Sequence, residues 1–319
     1  MGQKFKAMWG SLKKKLPLLS ICLILVAALL YTMFHHYTIS SGNDLISTFE
    51  TNLLDFRFRL RGIKKPHEKV AILAIDEKSI QQFKSWPFSR KYYAGALDHL
   101  KELGVKWIGF DAVFSEPQPA TIADLSEDLS AVKTGAEQGN LAAITNRLKL
   151  IDAQKEVSLG DQAFSDAIKR FENIVLGYFY FQSKREVELG GRAETAFLGL
   201  EDMENSVIQA AILPDGRSLD DYSETIKAHG IVANLPKVNK ASTHHAFFSN
   251  EADTDAIVRW VTLVRILDGN LLPSLSLKMA AEILNRDVLV VFDEHAIESI
   301  DLVSREDESD SMSIPVDPL

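Results

Sequence analysis

The stretch VAILAIDEKSIQQFKSWPFSRKYYAGALDHLKELGVKWIGFD (Val70–Asp111) carries the reading of the fold. Val70–Asp76 is a continuous β-rich run ended by polar residues, the pattern of a buried strand. Ser89–Leu103 sets Tyr93, Leu97 and Leu100 on one helical face, and Gly104 follows as a helix-ending residue. Val105–Asp111 is a second β-rich run. Strand, helix and strand at this spacing predict a right-handed βαβ unit with the two strands parallel.

Downstream, Pro117–Glu156 is polar, helix-prone and poor in strand formers, and reads as a helical insertion (about 117–156). Asp161–Phe171 predicts a helix opening with an Asp cap, and Asn173–Phe181 a third strand. Residues 182–225 are acidic and loop-rich, with a turn at Asp215-Gly216. Gly230–Leu235 and Ile257–Ile266 read as strands and Pro273–Asn285 as a helix started by Pro273 or Ser274. Val288–Phe292 and Ala296–Ile300 read as a hairpin around Asp293-Glu294-His295. Ser304–Ser313 reads as a solvated loop, after which Ile314–Leu319 turns strand-like. The fold class is therefore α/β: a mixed, partly parallel sheet with helices on its faces.

Upstream, Asp44–Arg61 (DLISTFETNLLDFRFRLR) aligns Leu45, Phe49, Leu53, Phe56 and Leu60 on one helix face. Asp55 and Arg59 form an i,i+4 pair in the favourable order. Before this helix, Leu16–Phe34 runs 19 residues without a charge, long enough as a helix for roughly 28 Å, close to a bilayer core. Met1–Lys15 carries five lysines and no acid, and no lysine follows until Lys64. The positive-inside rule then puts this tail in the cytoplasm and exports the rest. The rival is a signal peptide cleaved near Val26-Ala27-Ala28; it would leave a greasy new terminus, and signal h-regions are shorter. The expected layout is a basic tail (1–15), a transmembrane helix (16–36) and an exported domain (42–319), incomplete at its C-terminus.

The net charge is −9. With +5 on the tail, the body carries −14 (−9 less +5), so it offers no basic face for phosphates and a nucleic-acid partner is excluded. Gly and Pro number only 17 and 10, which excludes collagen-like and Pro/Gly-rich disordered classes. The one cysteine, Cys22, lies in the apolar segment, so the body has no disulfide, thiolate nucleophile or cysteine metal ligand.

Asp76 and Asp111 end the two strands of the predicted parallel pair, where α/β sheets form ligand crevices. Two carboxylates there could hold a metal or polar ligand; equally, each could cap the following turn. Without a third ligand they make a poor metal site, so no metal and no cofactor is expected. Glu251, Asp253 and Asp255 fail the calcium-loop spacing and read as an Asx-rich turn, with Arg259 near enough to pair with one acid. His244 and His245 are adjacent and point apart on a regular element. Gly190-Gly191 is too little for a phosphate cradle, and no HExxH, GxSxG or Walker sequence occurs, so no catalytic residue is assigned.

Four blocks, LLDFRFRLRG (Leu53–Gly62), VAILAIDEKSI (Val70–Ile80), WPFSR (Trp86–Arg90) and GFDAVFSEP (Gly109–Pro117), resemble in order and spacing the CHASE-type-2 domain, a bacterial extracellular sensory domain. The similarity resumes at Asp161–Tyr178, Glu251–Val264 and Leu272–Ala280. The family has Asp-Gly-Val where this chain has Asp255-Ala256-Ile257, so the turn there runs without glycine. The resemblance implies a periplasmic sensory module at the bacterial inner membrane, answering a small-molecule or periplasmic signal. It implies further membrane helices and a cytoplasmic effector, with an adenylate/guanylate cyclase first and a histidine kinase, diguanylate cyclase or Ser/Thr kinase as alternatives. The chain is then expected to be an input module and not an enzyme, to work as a homodimer, and to belong to a longer protein. An exported enzyme or metal binder using Asp76 and Asp111, and an anchor that only dimerises an effector, are the alternatives. Asp76, Asp111, Trp86 and Arg90 are the candidate ligand residues. Asp55, Arg57, Arg59, Asp255 and Arg259 are expected to be structural. Arg59 and Arg90 are expected to fix helix-to-sheet packing through Asp55 and carbonyl contacts, rather than to bind ligand.

Overall fold

The structure is a computed structural model and describes residues 21, 24–32, 45–83, 86–118, 133–134, 139–142, 159–189, 203, 206–253 and 255–316. The chain divides into two compact units, Met1–Asp76 and Glu77–Leu319.

In the first unit residues 24–32 are helical. About half of the apolar segment expected to span a membrane lies outside the described residues. Among those described, no helix is long and apolar enough to cross one. Helix α1 (Leu45–Arg61) follows, and Gly62, at φ 69°, ends it in the left-handed region where glycine is strain-free. Val70–Asp76 corrects the expectation of a buried strand. It takes no strand pairing, and Ile72 and Leu73 are 91% and 74% exposed. An apolar run becomes a buried strand only when a second strand lies beside it.

The second unit begins with α2 (Glu77–Phe83), α3 (Arg90–Glu102), β1 (Ile108–Gly109), α4 (Leu159–Phe171), β2 (Ile174–Tyr180) and α5 (Lys184–Leu189). It continues through β3 (Ala210–Ile212), β4 (Ile231–Val232), α6 (Pro236–Asn239), β5 (His244–Phe247), β6 (Val264–Leu267) and β7 (Asn270–Pro273). Helix α7 (Leu275–Ile283) and strands β8 (Arg286–Phe292), β9 (Ile297–Ser304) and β10 (Ser311–Ile314) complete it.

Strand β2 organises the first sheet, pairing in parallel with β1 and β5 and antiparallel with β4. The parallel pair is thus β1 with β2 across α4, and not Val70–Asp76 with Val105–Asp111. Pairing shortens the second predicted strand to Ile108–Gly109. At Gly177 a Cβ would run into the Phe110 carbonyl oxygen, so only glycine lets the β1 strand's continuation approach β2 this closely. Helices α3 and α4 bury Leu97, Phe164 and Ile168 with Ile174 and Leu176 of β2. Their 3.6-residue apolar period makes that face, and burial of such side chains is worth roughly 1.5–3 kcal/mol each.

The second sheet has the order β10-β9-β8-β3, antiparallel except for β3 beside β8. The predicted hairpin is β8–β9: Asp293 Oδ1 accepts from His295 N and Ala296 N at 2.7 and 2.6 Å and so fixes the turn. The strand expected over Ile314–Leu319 instead begins at Ser311 and pairs with β9. The strand expected over Ile257–Ile266 is likewise limited to Val264–Leu267, in a hairpin with β7. Helix α7 packs Leu277 and Ala281 with Val290, Ile300 and Leu302; its cap is Ser274, whose Oγ accepts from Leu277 N at 3.3 Å. The helical insertion about 117–156 and Gly190-Gly191 lie largely or wholly outside the described residues.

Candidate functional site

The end of α7 lines a concavity of the second unit that carries charges of both signs. Leu284 caps the helix and Asn285 adopts φ 53°, a left-handed turn that asparagine tolerates. The chain therefore reverses at once, and Arg286 and Asp287 at the start of β8 return beside Glu282 of α7. Arg305, just after β9, is tied to this turn through its N–H, which donates to the Asn285 carbonyl at 3.2 Å. With Thr243, His244 and the Ser206–Ala210 segment these residues line a cavity of about 490 Å³.

Glu282 is the centre of charge. Its side chain is only 6% exposed. Oε2 accepts from Arg305 Nη1 at 3.0 Å, and Oε1 from Arg305 Nη2 at 3.2 Å and from Lys278 Nζ at 2.9 Å. His244 Nδ1 lies 3.5 Å away, and the imidazole sits edge-on to Trp107. Burial alone would push the Glu282 carboxyl up; the donors from His244, Arg305 and Lys278 outweigh it and hold it well below the usual carboxylate range. Reciprocally, hydrogen bonds to Glu282 and Asp287 raise the Arg305 guanidinium. One carboxylate thus joins β5 of the first sheet, α7, and the end of β9 in the second. Arg286 is anchored separately, by Asp310 Oδ2 at 2.6 Å and the carbonyls of Leu302 and Asp310.

The adjacent histidines separate as their alternation on β5 requires. His244 faces the cavity and His245 is fully buried. His245 Nε2 is 3.0 Å from the Asn239 carbonyl, which can only accept, so Nε2 carries the proton and Nδ1 accepts from Ser206 Oγ at 2.9 Å. His245 is a core hydrogen-bonding residue.

The residues singled out from the sequence fall elsewhere. Asp76 is exposed at the end of the first unit and Asp111 is exposed after β1 in the second. Trp86 is 59% exposed with its ring edge-to-face on Phe88. Arg90 is buried: Nη1 pairs with Asp161 and Nη2 donates to the Glu116 carbonyl, with the guanidinium 5.3 Å over the Phe114 ring. Its carboxylate partner is therefore Asp161, which stands in the first turn of α4 and accepts also from Gln118 N at 3.1 Å. Asp161 is committed to this pair rather than serving only as a helix cap. Arg57 and Arg59 are exposed on α1, and Asp55 is half-buried there.

Arg259 pairs with both acids of the preceding turn, Asp253 at 2.6 Å and Asp255 at 2.7 Å. Hydrogen bonds from Arg259 hold Asp255 down at about 2. Ala256 takes φ 64° in this turn, the left-handed conformation for which the expected glycine would serve. Among the described residues no group of three or more His, Cys, Asp or Glu side chains could hold a metal ion.

A family model described as the CHASE2 domain matches residues 22–317. The chain belongs to the CHASE2 domain family. CHASE2 is an extracellular sensory domain and not a catalytic one, and the geometry around Glu282 is that of an ion-paired concavity. No curated protein and no solved structure matches the chain. The sequence did not single out Glu282, Lys278 or Arg305. The first two form an i,i+4 pair on α7, a pattern too common to mark a site. Arg305 joins them only through the β8–β9 hairpin.

Proposed function

We propose that this chain is the extracytoplasmic sensory input module of a bacterial transmembrane signalling protein, held by Leu16–Phe34 with Met1–Lys15 in the cytoplasm. The observation that carries the reading is the CHASE2 match over residues 22–317. The lysine asymmetry around the apolar segment supports the orientation. The effector joined to it is a nucleotide cyclase, the first of the partners that the family resemblance implies.

The signal enters at the Glu282 cavity. Lys278, Arg286 and Arg305 oppose Glu282 and Asp287 there, so a small polar or ionic ligand finds donors and acceptors of both signs. A ligand group that takes a donor from Arg305 or Lys278 loosens the one carboxylate joining β5, α7 and β9. A ligand acts on a conformational equilibrium only through such differential contacts.

The test is a periplasm-active reporter fused after Gly62 and, separately, after Lys15. Activity only after Gly62 supports the orientation, and the reverse pattern overturns it. The cyclase assignment is read separately, as cyclic nucleotide formed by the full-length gene product; a stop codon directly after Leu319 would sink it.

A further inference from the structure

Helix α1 carries two different faces. Ile46, Phe49, Leu53, Phe56 and Leu60 follow one another at 3-4-3-4 spacing, the a/d repeat of a coiled coil. Phe49, Leu53, Phe56 and Leu60 are 68%, 41%, 55% and 71% exposed. Among the described side chains of the helix, the half-buried positions are Thr51, Leu54 and Asp55. At about 100° per residue these centre roughly 180° away from the apolar seam. The seam is therefore turned away from the face of α1 that is already half-buried.

We propose that this seam pairs in parallel with the same helix of a second copy of the chain. The inference deepens the membrane-anchored reading, because the common anchor is what sets the direction. An antiparallel pair would bring Glu50 of one helix near Arg57 of the other, whereas two chains leaving one membrane side by side can meet only in parallel. In the parallel register the flanking pair inside the helix is Asn52 with Arg57 of the second copy, which places no like charges together.

The area explains why the anchor matters. Taking roughly 200 Å² for each large side chain, the four exposed residues offer about 450 Å² per helix, or about 900 Å² for the pair. Stable free complexes bury about 1,200 Å² or more. The seam is thus too small to hold free chains together, but sufficient when a shared bilayer raises the effective concentration. Two short heptads so placed at the exit of the anchor would carry a change in the sensor to whatever lies on the other side.

The experiment is single-cysteine cross-linking of the full chain in membrane vesicles, in a Cys22→Ser background that removes the one native thiol. Phe49→Cys, Leu53→Cys, Phe56→Cys and Leu60→Cys should each give disulfide-linked dimer several-fold above Thr51→Cys, Leu54→Cys and Asp55→Cys. If a seam variant fails to accumulate, Asn52→Cys against Thr51→Cys gives the same contrast without removing an apolar residue. A flat profile, or maxima at Thr51 and Asp55, overturns the seam. Efficient linkage only between Phe49→Cys and Leu60→Cys chains overturns the parallel register. The reporter fusions, run in the same strains, fail only if the anchor reading fails, so the two outcomes stay distinguishable.

Discussion

Replacing Arg90 tests whether the WPFSR block is architectural or ligand-binding. Arg90 and Asp161 are both buried, and Asp161 is fully so. Arg90→Ala leaves the Asp161 carboxylate with the Gln118 N–H and without its cation, and removes a donor from the Glu116 carbonyl. Breaking a buried pair from one side costs about 3–5 kcal/mol. At about 2–4 °C per kcal/mol for a domain of this size, the melting temperature should fall by about 6–20 °C. The assay is thermal unfolding of the full chain in detergent, followed by circular dichroism. Arg90→Met with Asp161→Leu should recover part of the loss, because no uncompensated charge remains. Recovery should be incomplete, since Gln118 N and the Glu116 carbonyl lose partners worth about 1–3 kcal/mol each. A melt within 2 °C of wild type for Arg90→Ala would refute the architectural role, and a lost signalling response with that normal melt would return Arg90 to the ligand-binding candidates.

Two further outcomes are expected. Ala256→Gly should stabilise the chain by about 0.5–1 kcal/mol, the left-handed penalty of about 1–2 kcal/mol less the extra freedom of glycine when unfolded; a lower melting temperature would argue against the φ of 64°. Glu282 has a folded pKa below its ordinary 4.5. Its stabilisation is therefore complete above about pH 4.5 and is lost as pH falls toward the depressed folded value. Glu282→Gln should lower stability at pH 7 and flatten its decline between pH 4.5 and 2; an unchanged acid limb would remove Glu282 from the acid response.

The sequence by itself determined the features that depend on neighbours along the chain. The apolar period of Arg90–Glu102 and Leu159–Phe171, the helix start at Pro273 or Ser274 and the Asp293 turn are local, and each was legible because the residues that make it lie within a few positions of one another. The acids around Arg259 were legible for the same reason, and the motif blocks placed the chain in its sensory family. Pairings between distant segments were not. Arg90 reaches Asp161 across 71 positions, with all of residues 117–156 between them, so periodicity could not choose Asp161 over any other acid. Val70–Asp76 has a strand's composition, yet only a partner beside it could supply its backbone bonds. Glu282 became the centre of a site because the β8–β9 hairpin carries Arg305 back over α7 while β5 presents His244 from the other sheet. A carboxylate's surroundings in three dimensions decide whether it is a solvated surface charge or a buried junction, and those surroundings were settled by tertiary packing.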